Sequence, residues 1–275
     1  MQYDPVKRSL GRFFNRYTIT RKLFYRLLDI LLLRTWHVHG ELRRFFNTKK
    51  GEGQVSVLDA GSGFGQYVYY IARKNPGWSV LGIDVKEEEV MACNDFFAKT
   101  LLKNVRFEQG YLEHLTAVEQ YDLVLSVDVM EHVEADEQML ANFFKAMKPG
   151  AILLISSPSD KGGSDARDYS DQSFVEEHVR HGYGKDEIEQ KLAGAGFGGI
   201  ETRFTYGWPG KISWKLTMKF PLKLLEASKI FIVFLPFYYL VVMPPVLVLN
   251  WLDTNLNHCE GTGLLVKAFK EVNRQ

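Results

Sequence analysis

From residue 54 onward, short apolar runs of strand length alternate with longer stretches of helical periodicity. Gln54 to Ala60 reads as a buried strand. It is followed by a helix at 66–74, a strand at 78–84, a helix at 86–101 and a strand at 104–108. The pattern continues with a strand at Tyr121 to Ser126, a helix at Glu134 to Met147, a strand at Ala151 to Ser156, a helix at Lys185 to Ala195 and a strand at Gly199 to Tyr206. Such alternation predicts an α/β fold, a mostly parallel sheet with helices on both faces and a ligand site at the carboxyl ends of the strands. Upstream, Leu10, Phe13, Phe14 and Tyr17 share one helical face, and Phe24, Leu27, Leu28, Leu31 and Leu32 repeat the spacing. Two amphipathic helices are expected, with Arg12, Arg16, Arg21, Lys22 and Arg26 on their other faces. That combination suits a membrane interface or a lid packed over the domain.

The first strand runs into Gly61-Ser62-Gly63-Phe64-Gly65, and a helix begins near Gln66. Alternate glycines permit backbone angles and close approach that side chains forbid, and a helix start offers unpaired amides and a positive dipole end. Asp84 closes the second strand, roughly 20 residues past the glycines, where a carboxylate can accept hydrogen bonds from ribose hydroxyls. The pair points to a nucleoside-containing cofactor.

Charge changes the picture at the amino end. The whole chain of 275 residues carries a net charge of +1, which argues against general nucleic-acid binding. Residues 1–50 nevertheless hold twelve Lys or Arg against three acids. The excess predicts contact with an anionic surface. Cys93 and Cys259 have no metal-type spacing, so neither a disulfide framework nor a zinc site is expected. The first apolar run, Leu27 to Leu33, contains Asp29 and is followed by Arg34, unlike a secretory signal, and a cytoplasmic protein is expected.

Taken in order, Val57-Leu58-Asp59-Ala60-Gly61-Ser62-Gly63-Phe64-Gly65, Gly82-Ile83-Asp84, Tyr121-Asp122-Leu123-Val124, Glu131-His132-Val133 and Met147-Lys148-Pro149-Gly150 resemble a class I S-adenosylmethionine-dependent methyltransferase over residues 54–207. Gly184 to Ile188 and Ala195-Gly196-Phe197 resemble the helix and turn before that family's sixth strand, and Gly261 to Phe269 its last. A nicotinamide or flavin turn would place glycine where Gln66 stands. The resemblance implies a Rossmann-like seven-stranded, mostly parallel sheet. It divides the chain into a basic helical extension (1–53), the methyltransferase core (54–207 and 263–275) and an insertion (208–262). It implies S-adenosyl-L-methionine as cofactor, with Asp59, Gly61, Ser62, Gly63 and Gly65 at its amino-acid end, Asp84 at the ribose and Val85 beside the adenine. Tyr111, Leu112 and Asp128 complete the implied cofactor set, Tyr111 and Leu112 standing where family members often carry an acid that meets the adenine amine.

Methyl transfer to oxygen or an acidic carbon gains from a base near neutral pH, so His132, His178 and His181 are the catalytic candidates. Tyr183 is a further candidate for contact with the acceptor. His132 also has a structural reading, packing against the cofactor. The Asn/Asp-Pro-Pro-Tyr-type motif of amide- or base-nitrogen methylation is absent where Ser126-Val127-Asp128-Val129 stands, and no carboxylate cluster for a metal is apparent. His37 and His39 read as ordinary polar residues.

Within the insertion, Ile212, Trp214, Leu216, Met218, Phe220, Leu222 and Leu224 alternate with polar positions, which indicates a strand, whereas the Leu, Lys and Met content favours a helix. Ile230 to Leu252 is an uncharged run of 23 residues. The chain must return to pair with the sixth strand, and Pro244-Pro245 splits the run, so the expectation is a hairpin dipping into one leaflet rather than a spanning helix. A buried lid or a dimer face is the alternative. Lys211, Lys215, Lys219, Lys223 and Lys229 are opposed only by Glu226 and would meet anionic head groups. The expected function is metal-independent methyl transfer to a hydrophobic small-molecule or lipid-like acceptor, at oxygen, by a peripheral or monotopic protein on the inner face of the membrane. Head-group nitrogen, a quinone-type carbon and a cofactor-binding scaffold without turnover are the alternatives.

Overall fold

The computed structural model describes residues 17–162 and 179–271. Seven strands form one sheet: β1 (Ser56–Ala60), β2 (Ser79–Asp84), β3 (Val105–Gln109), β4 (Tyr121–Val127), β5 (Met147–Pro158), β6 (Gly198–Thr205) and β7 (Gly263–Phe269). Their order across the sheet is β3-β2-β1-β4-β5-β7-β6. The first five are parallel, and β7 runs antiparallel to both β5 and β6. Strands buried on both faces need apolar side chains at successive positions, and Val57, Leu58, Val124 and Leu125 meet that need with no exposed surface.

Helices α1 (Thr18–Leu31), α2 (Leu33–Thr48), α3 (Gln66–Lys74) and α4 (Glu87–Ala98) precede α5 (Asp136–Ala146) and α6 (Lys185–Gly194). Tyr25, Val38, Leu42, Val68, Ile71 and Phe96 build the core on one face of the sheet. Met139, Leu140, Phe143, Ile188 and Leu192 build it on the other. The predicted alternation is met within a few residues at most ends. β5 starts earlier than its apolar run because Tyr121 pairs with Met147 and the register then shifts, at a stretch where Gly150 has φ +80°.

The N-terminal helices pack on the domain. Arg21, expected on the basic face of an amphipathic helix at a membrane interface or in a lid, is buried against the domain, donating from Nη1 to Ala92 O (2.7 Å), from Nη2 to Phe64 O (3.0 Å) and from Nε to Tyr25 Oη (2.8 Å). Lys22 and Arg26 remain exposed. Leu10 to Arg16 of the expected first helix lie outside the described residues. His39 is buried and stacks on Tyr70 with ring centroids 3.6 Å apart, and His37 is buried against Asp253, so neither is the ordinary polar residue expected.

The insertion is helical throughout its first arm: α7 (Trp208–Trp214), a π-helical turn Lys215–Lys219 and α8 (Phe220–Ala227). Pro221 accounts for the π turn. A proline has no amide to give residue i−4 and its ring crowds that carbonyl. The ladder therefore widens, with Phe220 N donating to Lys215 O. The two carbonyls left over are taken from the other arm, Leu216 O by Tyr238 Oη (2.7 Å) and Thr217 O by Tyr239 Oη (2.8 Å).

The second arm corrects the sequence expectation. Pro244-Pro245 does not split it: α9 runs unbroken from Leu235 to Asn255, 21 residues, or about 31 Å. Packing outweighs the proline penalty because the pair sits between two anchored stretches. Tyr238 and Tyr239 hold one, and buried Val246, Asn250 and Asp253 hold the other. The chain reverses instead at Ser228 to Phe234, through a 3-10 turn at Lys229–Val233. On the outward face of α9, Phe237, Leu240, Val241, Val248 and Trp251 are each between 58% and 75% exposed. Proteins rarely leave so continuous an apolar stripe open to water.

Candidate functional site

The glycine turn after β1 is built by positive-φ geometry: Gly61 at +82°, Gly63 at +48° and Gly65 at +73°. At Gly61 a side chain is also excluded by space, since a Cβ would lie 2.1 Å from Val129 Cγ2. Gly61 N and Ser62 N donate to Ile83 O (2.8 and 2.9 Å), which folds the turn over the end of β2. Asp84 Oδ2 accepts from Gly63 N (2.8 Å) and Oδ1 from Lys86 N (2.9 Å), so the carboxylate is fixed beside the turn with acceptor capacity to spare. Val85 and Tyr111 are exposed at the neighbouring strand ends, while Leu112 is buried with its carbonyl accepting from Asn142 Nδ2 (3.2 Å).

Asp59 is buried at the end of β1. Burial, reinforced by the nearby Asp84 and opposed by a hydrogen bond from the Val68 amide, pushes its carboxyl up to about 7. Its Oδ2 has no partner, and neither do Ser62 Oγ, Ser126 Oγ or Arg34 Nε. Ser62 follows β1, Ser126 lies in β4 beside it (Ala60 pairs with Ser126), and Arg34 is in the first turn of α2. A buried carboxyl without a counter-charge at the end of β1 fits a ligand that is cationic at one end; Ser126, paired with Ala60 and not with Asp59, lies on the opposite face of the sheet.

Arg34 pairs with Asp128, which follows β4 in a left-handed conformation (φ +51°) with its amide donating to Ser156 O (2.8 Å). Arg34 N in turn donates to Tyr206 Oη (3.0 Å). Glu131 is buried, accepts from Ser157 Oγ (3.3 Å) and is raised above the usual carboxylate range by burial. These groups bring a cation and two carboxylates to the carboxyl ends of β1, β4 and β5. Arg34 and Glu131 had no assigned role in the sequence reading. Arg34 is legible only as the charge ending an apolar run, and Glu131 as part of the Glu131-His132-Val133 stretch that carries the family resemblance, without a role of its own.

Of the histidines, His132 is exposed on the 3-10 turn Met130–His132, directly after Glu131. His181 is exposed one residue beyond Arg180, and the amides of Val179 and Arg180 bond Glu131 O (3.0 and 3.4 Å). His178 lies outside the described residues. Tyr183, a candidate for contacting the acceptor, is fully buried, with its hydroxyl on Asp136 Oδ2 (2.8 Å) and Met130 O (3.2 Å); it ties the turn to α5 and faces no open site. Among the described residues no group of three or more His, Cys, Asp or Glu is placed to hold a metal.

Residues 52–196 match the family model described as a methyltransferase domain, more than half of the chain. The chain belongs to that family. Its sequence is 28% identical over 104 residues to a ubiquinone biosynthesis O-methyltransferase of Rickettsia conorii, covering 38% of this chain and 35% of that protein. It is 29% identical over 162 residues to phosphoethanolamine N-methyltransferase 1 of Zea mays, covering 55% of this chain and 29% of that one. The matches thus span about a third of those relatives' lengths. Among solved structures, phosphoethanolamine N-methyltransferase 2 of Haemonchus contortus in complex with S-adenosyl-L-methionine shares the fold with a TM-score of 0.58 at 16% identity, over 90% of this chain and 60% of that one. A second structure of that Haemonchus contortus enzyme, in complex with phosphomonomethylethanolamine and S-adenosylhomocysteine, does so with 0.59 at 17%, over 85% and 53%. The unpaired Asp59 oxygen and the glycine cradle fit the sulfonium and amino-acid end of S-adenosyl-L-methionine, the activated cationic methyl donor held in the first Haemonchus contortus structure.

Proposed function

We propose that this methyltransferase methylates a hydrophobic, lipid-like acceptor at oxygen while attached to the inner face of the cytoplasmic membrane. The observation that carries the reading is the unpartnered apolar stripe of α9, on a hairpin whose other arm bears Lys211, Lys215, Lys219 and Lys223. Apolar side chains beside a row of cations match a bilayer with anionic head groups. The similarity to ubiquinone biosynthesis O-methyltransferases supports a hydrophobic acceptor and oxygen as its atom.

In this reading Gly61, Ser62, Gly63 and Gly65 seat the donor's amino-acid end by their backbone. Asp59 compensates its positive charge, and Arg34 and Asp128 receive its carboxylate and ammonium. Asp84 takes the ribose hydroxyls, and Val85, Tyr111 and Leu112 flank the adenine. The site's main service is alignment of the acceptor with the methyl group. The acceptor oxygen forms the new bond to the methyl carbon, the donor sulfur keeps the electrons of the broken one, and the acceptor proton passes to His132, with His181 as the alternative base.

Incubating the protein with deuterated-methyl donor and a total lipid extract, followed by mass spectrometry, should show the label in an organic-soluble product. Floating wild type and the F237S/L240S/V241S variant with anionic vesicles should separate them, only wild type rising with lipid. Label confined to water-soluble products, or equal flotation, overturns the acceptor class or the membrane site respectively. A second reading, methylation of a head-group nitrogen, is favoured by the similarity to the Zea mays phosphoethanolamine enzyme. It places the label on an N-methylated head-group nitrogen.

A further inference from the structure

The root of the insertion is bolted to the element that carries Arg34. The carboxylate of Asp253, near the end of α9 and wholly buried, accepts three hydrogen bonds, from α2 and from the segment that runs from β6 into α7. Its Oδ1 takes His37 Nε2 of α2 (2.8 Å) and the amide of Tyr206 (3.1 Å). Its Oδ2 takes the amide of Gly210 in α7 (2.9 Å) and faces His258 Nε2 (3.2 Å) beyond α9. The packing there leaves no slack: a Cβ on Gly210 would lie 2.6 Å from both Asp253 Oδ2 and Leu33 Cδ2, and one on Gly207 would lie 2.2 Å from His258 Nδ1. Leu33 and His37 bracket Arg34 on α2.

Tyr206 transmits this anchoring. It follows β6 with φ +56°, a conformation that costs a bulky residue energy unless its surroundings enforce it. Asp253 enforces it through the Tyr206 amide. The hydroxyl at the other end of Tyr206 accepts from the amide of Arg34, one of the donors that a helix start leaves without an intrahelical partner. The guanidinium of the same Arg34 meets Asp128 beside the glycine turn.

We propose that Asp253 is a positioning residue for methyl-donor binding, acting through Tyr206 to set the first turn of α2 and hence the place of the Arg34 guanidinium at the donor's amino-acid end. The insertion is therefore part of the donor site as well as an outward surface. The proposal rests on the assignment of Arg34 to the donor carboxylate and is independent of what the outer stripe of α9 contacts.

The test is a double-mutant cycle read by calorimetric titration of S-adenosyl-L-methionine into full-length protein. Asp253→Asn and, separately, Tyr206→Phe should each weaken binding by about tenfold, the scale of one charge-assisted hydrogen bond. In an Arg34→Ala background, already weakened, either change should cost less than about twofold further, because the group being positioned is gone. With turnover measured on a lipid extract, KM for the donor should rise while kcat holds. Wild-type affinity in either single variant overturns the proposal, as does a full additive loss on top of Arg34→Ala. If Asp253→Asn fails to fold, Tyr206→Phe, which removes one hydroxyl from a folded ring, decides the question alone. If Arg34→Ala itself binds like wild type, the carboxylate assignment falls instead.

Discussion

Asp59 shows most directly how one side chain can record the binding of the donor. Its carboxyl is held at about 7, chiefly by burial, well above an unfolded aspartate near 3.9. The folded, donor-free protein thus keeps a proton that the unfolded chain has lost. The group's contribution to stability is present below the unfolded value and disappears as pH rises from about 4 through 7. A cation placed beside Asp59 pulls the value down, so binding should release up to one proton near pH 6.5, and affinity should strengthen as pH rises from 5.5 to 8. Titrations of S-adenosyl-L-methionine in buffers of different ionisation enthalpy measure that proton directly. Asp59→Asn should remove both the release and the pH dependence. An unchanged proton count in that variant would assign the titration to another group. The position of Asp59 at the strand end was legible from Val57-Leu58-Asp59-Ala60-Gly61. Its lack of a partner was not, because that depends on everything packed around it.

Among the elements, the first arm of the insertion is where local signals disagreed. Its alternation indicated a strand, its composition a helix, and the arm folds as helix with a π turn at Lys215–Lys219. Helix propensity did not decide the matter alone. Pro221 breaks the ladder, and the hydroxyls of Tyr238 and Tyr239 take up the two carbonyls it leaves. Each bond should contribute about 1 kcal/mol. Tyr238→Phe/Tyr239→Phe should therefore speed hydrogen exchange across residues 212–224 by roughly tenfold or more, while exchange in β1 and β4 stays as in wild type. No change in that window would show that the π turn is held by something other than the tyrosines. The proline pair in α9 makes the same point in reverse. A break was expected at Pro244-Pro245, yet contacts on both sides keep the helix whole.

At the scale of the molecule, the insertion, α2 and β6 meet at Asp253, and this junction should make the hairpin root sensitive to acid. Burial would raise Asp253, but the hydrogen bond and charge of His37 more than reverse that and hold it below its usual range. Burial lowers His37, with Asp253 opposing. Both groups therefore bind fewer protons folded than unfolded. The stability they contribute is present above the unfolded histidine value near 6.5 and is lost progressively as pH falls below it. Asp59 acts in the opposite direction over part of this range, so the comparison has to be made between variants. The thermal midpoint of wild type should fall relative to that of His37→Gln as pH drops from 7 to 5. Parallel curves would remove His37 from the account.

The amino-acid sequence by itself determined the alternating strands and helices, the glycine turn with its helix start at Gln66, the carboxylates at two strand ends and the donor they imply. These are short-range patterns, written in spacings of two to four residues and in backbone angles that glycine alone adopts freely. Tertiary structure alone decided that Arg34 meets Asp128, that Asp253 reaches back 216 residues to His37, and that α9 passes through two prolines. No periodicity encodes a contact between distant segments. Such a contact exists because burial removes competing water and leaves each polar group only the partners that packing brings to it.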